Sequence, residues 1–170
     1  MYKVRNDLPE PTRSRIIELC NFRLADSIDL QTQCKYAHWN VKGPNFIALH
    51  KLFDELNEDV EEYVDLLAER IVQVGGVAEG TARIAAKRSS LADYVVKTDS
   101  WKEHTRAIAS ALASYGKLTR AAIDASAELN DADTADIFTE ISRGVDKWLW
   151  MVEAHLQENE RITGFWPLNP

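Results

Sequence analysis

Between Pro44 and Gly75 the chain carries one uninterrupted helical pattern. Leu49, Leu52, Phe53, Leu56, Val60, Leu67 and Val74 form an apolar stripe, and His50, Asp54, Asp65 and Glu69 lie on its shoulder. At 100° per residue these four polar side chains share a sector of roughly 100°. At 1.5 Å per residue, however, Asp54 and Asp65 are about 16 Å apart along the axis. One copy of the helix therefore cannot close this ligand set around one ion, and a second copy is required. His50 with Glu69 and Asp54 with Asp65 have the same midpoint, between Asp59 and Val60. Two antiparallel copies about a two-fold axis would bring both pairs face to face and build two equivalent sites at the ends of one isologous contact. Glu58 and Glu61 share that midpoint and would meet as like charges near the axis, so the helices splay there or cations sit between them.

The same stretch holds Glu55, Asp59 and Glu62 besides the residues above, and a helix this acidic is commonly a solvated face. Spacing alone leaves both readings open.

Helical periodicity continues through the rest of the chain, with no set of alternating strands between turn signals. A first helix is expected from about Pro11 to Asn40, burying Ile16, Leu19, Cys20, Leu24, Ile28 and Leu30, with Gly43-Pro44 as its stop. The second runs from after Pro44 to Val74 and ends on Gly75-Gly76 as a left-handed cap. The link from Val77 to Thr98 is long enough to cross a bundle before returning, and Ala82 to Ser90 forms a short extra helix within it. Helix three opens at Ser100, with Glu103 completing a capping box, and runs to about Leu129. Helix four opens in Asn130 to Asp136 and runs to about Ile162. Gly164 to Pro170 is aromatic and proline-broken, so it cannot extend that helix and is expected to pack on the subunit surface or on a neighbour rather than serve as a ligand. The division is a flexible tail over 1–10, an all-α four-helix bundle over 11–163 and an aromatic tail over 164–170.

A chain of 170 residues with 45% apolar content has the size of one domain with its own core. No apolar run approaches the ~20 residues of a membrane span, and no charged-then-apolar leader follows Met1, so a cytoplasmic location is expected. Cys20 and Cys34 stand about 21 Å apart on one helix and cannot bridge within it, which fits reduced thiols. The net charge of −7 argues against indiscriminate DNA binding by the whole surface and favours attraction of cations. Residues 1–15 are the local exception, with Lys3, Arg5, Arg13 and Arg15 against Asp7 and Glu10.

Four-helix bundles that hold two irons within one chain generally use Glu-x-x-His on two helices, and no Glu here is followed by His at that spacing. His104 and His155 read as ordinary cap or surface histidines. His38-Trp39-Asn40, Gly43-Pro44, Phe46, His50, Asp54, Asp65 and Glu69-Arg70 instead resemble the signature of the Dps family, the mini-ferritins described as DNA-binding proteins from starved cells. Asp133 to Ile137 and Asp146 to Trp150 resemble the family's last helix, and the likeness spans about residues 7–160.

That resemblance implies a ferritin-like bundle assembled into a hollow dodecamer, with a ferroxidase centre between two-fold-related subunits. Carried over residue by residue, His38, His50 and Asp54 come from one chain and Asp65 and Glu69 from its partner. It implies oxidation of Fe(II) by hydrogen peroxide or oxygen, and storage of ferric mineral nucleated at Glu55, Glu58 and Glu62. The mixed imidazole and carboxylate set suits iron, with zinc as a competitor, and lacks the thiolates of structural zinc sites. Trp39 would be a redox-active or packing ring beside the iron. Asp131, Asp133 and Asp136 would cap helix four and also line an iron-entry pore. Against this enzyme and store stand a nucleoid-compacting DNA binder with secondary iron chemistry, and an iron-free assembly module using His50 and Asp54 as interface hydrogen bonds. With one Lys before the first helix, DNA binding is expected to be weak and salt-sensitive.

Overall fold

Helix positions follow from where the chain can and cannot continue a backbone ladder. In a computed structural model describing residues 1–95, 97 and 100–157, five helices occur: α1 (Glu10–Asn40), α2 (Phe46–Gln73), α3 (Ala82–Arg88), α4 (Trp101–Glu128) and α5 (Ala132–Ala154). Helices three and four of the sequence reading are α4 and α5. Pro11 sits in the first turn of α1, where the missing amide costs no ladder bond. The helix ends at Val41, and Gly43 follows at φ +124°, where a Cβ would meet the Trp101 ring at 2.8 Å. Gly75 at φ +89° ends α2, and the Gly76 amide reaches back to the Ile71 carbonyl at 2.8 Å. Asn130, at φ 57°, turns the chain from α4 into α5.

The helices pair as two hairpins, α1 with α2 and α4 with α5, and α1 also packs on α4 and α2 on α5. A backbone bridge between Lys42 and Ser100 sets the start of α4 beside the end of α1. At the opposite end, Arg70 near the end of α2 is hydrogen-bonded to Asp131 at the start of α5. The segment from Val74 to Ser100 therefore travels the length of the bundle, the single long crossover expected of this architecture. Ile16, Leu24, Leu30, Phe53, Leu56, Leu67, Leu112, Tyr115 and Phe138 are fully or almost fully buried between the hairpins. Leu19, Ile28 and Leu52 only flank that core.

Polar side chains of α1 clamp the crossover. Asn21 donates to the Val77 carbonyl at 3.1 Å and accepts from the Glu79 amide at 2.9 Å, and Gln33 donates to the Ala92 carbonyl at 3.2 Å. Asp26, wholly buried, accepts from the Ser90 amide at 2.7 Å and pairs with Arg23 at 2.8 Å. The leading segment is tied to the α2 turn: the Tyr2 amide donates to the Gly75 carbonyl at 2.7 Å, and Arg13 donates to the Val74 carbonyl at 3.2 Å.

Two local expectations change. Ser100 occupies the N-cap of α4 but its side chain makes no cap hydrogen bond, so the capping box with Glu103 does not form; the Lys42 bridge sets the chain's entry there instead. The last helix, expected to reach about Ile162, ends at Ala154, with the His155 and Leu156 amides closing tight turns onto Val152 and Glu153. The aromatic segment 164–170 lies outside the described residues. Among the described residues no helix is long and apolar enough to cross a membrane.

Candidate metal centre

The short connection between α1 and α2 brings the last turn of one helix against the first turns of the next. His38 and His50 meet there with rings stacked at 3.8 Å between centroids and 22° between planes. Each histidine is held by the backbone of the other: His38 Nδ1 lies 2.8 Å from the His50 carbonyl, and His50 Nδ1 lies 2.9 Å from the His38 carbonyl. A carbonyl oxygen only accepts, so both Nδ1 atoms carry the proton and donate. A ring held this way, in its neutral form, has its lone pair on Nε2, as a metal-binding imidazole requires. Phe46 lies against His50 at 5.1 Å between centroids.

Asp54 follows His50 by one helical turn, and its Oδ1 stands 3.7 Å from His38 Nδ1. The same oxygen is paired with the Lys35 ammonium. That hydrogen bond, against a smaller opposing effect of burial and with help from His38, holds the Asp54 carboxyl below the usual carboxylate range. Lys35 was not among the residues singled out from the sequence. Its position three residues before His38, on the same face of α1, was the available signal.

His38, His50 and Asp54 are thus adjacent, whereas Asp65 and Glu69 lie exposed farther along α2. Among the described residues of one chain, no three His, Cys, Asp or Glu side chains converge on a point that could hold a metal ion. What one chain offers is two oriented imidazoles and a carboxylate beside an open surface. Trp39 is 67% exposed next to His38, and Ile47 and Phe46 are also exposed. Glu55, Glu58 and Glu62 are exposed on α2, and Glu61, Glu62, Asp65 and Glu140 line an open acidic groove of about 590 Å³ between α2 and α5.

The three aspartates at the start of α5 separate. Asp133 and Asp136 are exposed, but Asp131 is buried, capping the helix through the Thr134 amide at 3.0 Å and accepting from Arg70 at 2.7 and 2.9 Å. Arg70 also donates from Nε to the Thr134 hydroxyl at 2.8 Å. Burial alone would raise the Asp131 carboxyl; the hydrogen bonds from Thr134 and Arg70 outweigh it and leave the group below its ordinary value. Arg70 follows Glu69, so this pair anchors the end of α2 that carries a candidate ligand.

The chain matches the ferritin-like domain over residues 17–162. It is 43% identical over 159 residues to the DNA protection during starvation protein of Agrobacterium fabrum, covering 92% of this chain and 97% of that one. The protein of the same name from Brevibacillus brevis is 33% identical, over 82% of this chain and 93% of its own. Among solved structures, Dps from Mycobacterium smegmatis superposes with a TM-score of 0.88 at 31% identity, over 92% of this chain and 95% of that one. DpsA14 from Streptomyces coelicolor gives 0.87 at 30%, over 93% of each. In fold and in sequence, over nearly its whole length, the chain belongs to the Dps family of DNA-protection-during-starvation proteins within the ferritin-like domain.

Proposed function

We propose that this protein is a ferroxidase and iron store that oxidises Fe(II) with hydrogen peroxide, or oxygen, at centres shared by two chains, and deposits ferric mineral inside a hollow dodecamer. The observation that carries the reading is the reciprocal histidine clasp: both Nδ1 atoms are used up on backbone carbonyls, which leaves the Nε2 atoms as the nitrogens that would bind, with Asp54 the neighbouring carboxylate. The shared two-fold midpoint supplies the rest, with Asp65 and Glu69 of a second copy completing the set. Trp39, Phe46 and Ile47 support that contact, because they leave apolar surface open around the half-site that a second copy would bury.

In this reading Fe(II) is the substrate. Imidazole and carboxylate donors hold two ions close enough for both electrons to reach one peroxide, whose O–O bond breaks as two protons complete two waters. The carboxylates favour the Fe(III) product. A divalent ion arriving at Asp54 displaces the Lys35 ammonium from that oxygen. Asp133 and Asp136 draw Fe(II) toward the shell, the acidic positions Glu55, Glu58 and Glu62 nucleate mineral, and zinc competes for the same donors. Protection of DNA then comes from removing Fe(II) and peroxide together in the cytoplasm, with only weak, salt-sensitive contact to the nucleic acid itself.

The test is anaerobic mixing of Fe(II) and peroxide while following ferric absorbance. His50→Ala with Asp54→Ala should abolish the fast phase; a fast phase with unchanged amplitude would reject the site.

A further inference from the structure

A second constellation lies at the metal-site end of the bundle and uses none of the candidate ligands. His104, in the first turn of α4, is wholly buried, and its Nδ1 is 2.7 Å from the hydroxyl of Tyr94 in the crossover. The Tyr94 ring stands edge-on to Tyr36 at 5.1 Å between centroids, and Tyr36 is 6.3 Å from the His104 ring. Tyr36 is on α1, two residues before His38.

A phenol gives up an electron readily only when its proton leaves at the same time, because the oxidised phenol is a strong acid. That requires a base within hydrogen-bond distance. A backbone carbonyl would satisfy a structural hydroxyl equally well, but only an imidazole can take the proton near neutral pH. Burial pushes the Tyr94 hydroxyl up, out of the range in which it would ionise unaided, so the proton is present to be moved.

We propose that Tyr94 and His104 form a proton-coupled electron donor that quenches the one-electron oxidant released when hydrogen peroxide meets a lone Fe(II), with Tyr36, 41% exposed and packed against both rings, as the ring that meets the oxidant. This rests on the ferroxidase reading. A single Fe(II) gives one electron to peroxide, and the O–O bond breaks into hydroxide and a hydroxyl radical. The radical takes one electron from Tyr94 through Tyr36 and becomes hydroxide. As it does so, with the His104 ring proton on Nε2 so that Nδ1 accepts, the Tyr94 O–H bond breaks and its proton passes to His104 Nδ1, leaving a neutral phenoxyl beside an imidazolium. A second Fe(II) returns the electron and the imidazolium returns the proton. The sum is two Fe(II) oxidised, one peroxide reduced to two hydroxides and both residues restored.

The experiment uses the assembled full-length protein in two arms. Without iron, flash photo-oxidation by a ruthenium polypyridyl with persulfate should give a phenoxyl absorbance that forms about tenfold more slowly in His104→Gln, the scale of one lost hydrogen bond in a rate, and whose yield falls in Tyr94→Phe by the share Tyr94 contributes beside the other four tyrosines. Formation in the native protein should slow in deuterated water, and that slowing should vanish in His104→Gln. With limiting Fe(II) and excess peroxide, Tyr94→Phe should leave ferric formation unchanged while trapped hydroxyl radical rises severalfold. Helical circular dichroism and elution volume establish that each variant is folded and assembled. Equal phenoxyl yields in native protein and Tyr94→Phe, an isotope effect retained in His104→Gln, or equal radical trapping would each overturn the proposal. Failure of the native protein to oxidise iron would instead sink the ferroxidase reading, while the iron-free arm still judges the Tyr94–His104 pair.

Discussion

Replacing Asp131 by Ala removes two things at once: the cap on α5 and, among the described residues, the only carboxylate at hydrogen-bond distance from buried Arg70. Loss of a cap costs about 1 kcal/mol. Leaving a buried charge unpaired costs about 3–5 kcal/mol. Both Arg70 and Asp131 side chains are almost fully buried, at 6% and 2% exposure, so water does little to relieve the second effect. The two overlap at one carboxylate, and the larger sets the expectation, roughly 3–5 kcal/mol. Urea unfolding at fixed protomer concentration, followed by helical circular dichroism, measures it. Arg70→Met should cost a comparable amount, yet the double variant should cost about 1–3 kcal/mol less than the two singles added, because neither charge is then stranded. The pair also predicts acid sensitivity. Asp131 lies below its ordinary 3.8 in the folded chain, so the stability it supplies is complete above that pH and is lost as pH falls through the folded value. Asp131→Ala should therefore flatten the acid limb of the stability profile. An Asp131→Ala cost within about 0.5 kcal/mol, with strict additivity in the double variant, would refute the reasoning.

Three further outcomes are expected. If each centre takes imidazoles from one chain and carboxylates from its two-fold partner, His50→Ala and Glu69→Ala proteins are both inactive, but co-assembled in equal amounts they regain about a quarter of the native fast phase, because half the pairs are mixed and each mixed pair keeps one intact centre. No regain on mixing would place all ligands in one chain. Gly144→Ala would drive a methyl into the Tyr63 hydroxyl between α5 and α2, and a loss of about 1–3 kcal/mol in urea unfolding is expected; an unchanged midpoint would show that Tyr63 yields freely. Cys20 and Cys34 are buried, with burial pushing the Cys20 thiol up to about 12 and the Cys34 thiol higher, so iodoacetamide should modify neither in the native protein and both after denaturation.

The bundle was legible because its information is periodic. The α2 stripe from Leu49 to Val74 and the Gly75-Gly76 stop mark their helix within one residue, and the crossover helix expected over Ala82 to Ser90 spans Ala82–Arg88. That His50 and Asp54 stand together was legible for a related reason, because they are one turn apart, whereas His38 entered only through the resemblance to the Dps family. What stayed hidden is polar and pairwise. Asn21, Asp26 and Gln33 occupy buried positions on α1, yet in sequence they look like a solvent face until the crossover lies over them. An aspartate before a helix reads as a cap, which Asp131 is, but nothing local announces that Arg70, sixty-one residues earlier, needs it. Lys35 was missed because a lysine near carboxylates is ordinary until its partner is known to be Asp54.

The crossed bonds between His38 and His50 make these candidate ligands part of the hinge that folds the first hairpin back on itself. Each imidazole fastens the main chain at the other's position, so neither can drift to another residue type without loosening the corner that presents its neighbour. If the proposed oxidation is made here, chemistry and shape are inherited together: a lineage that replaces either imidazole must also rebuild the bend.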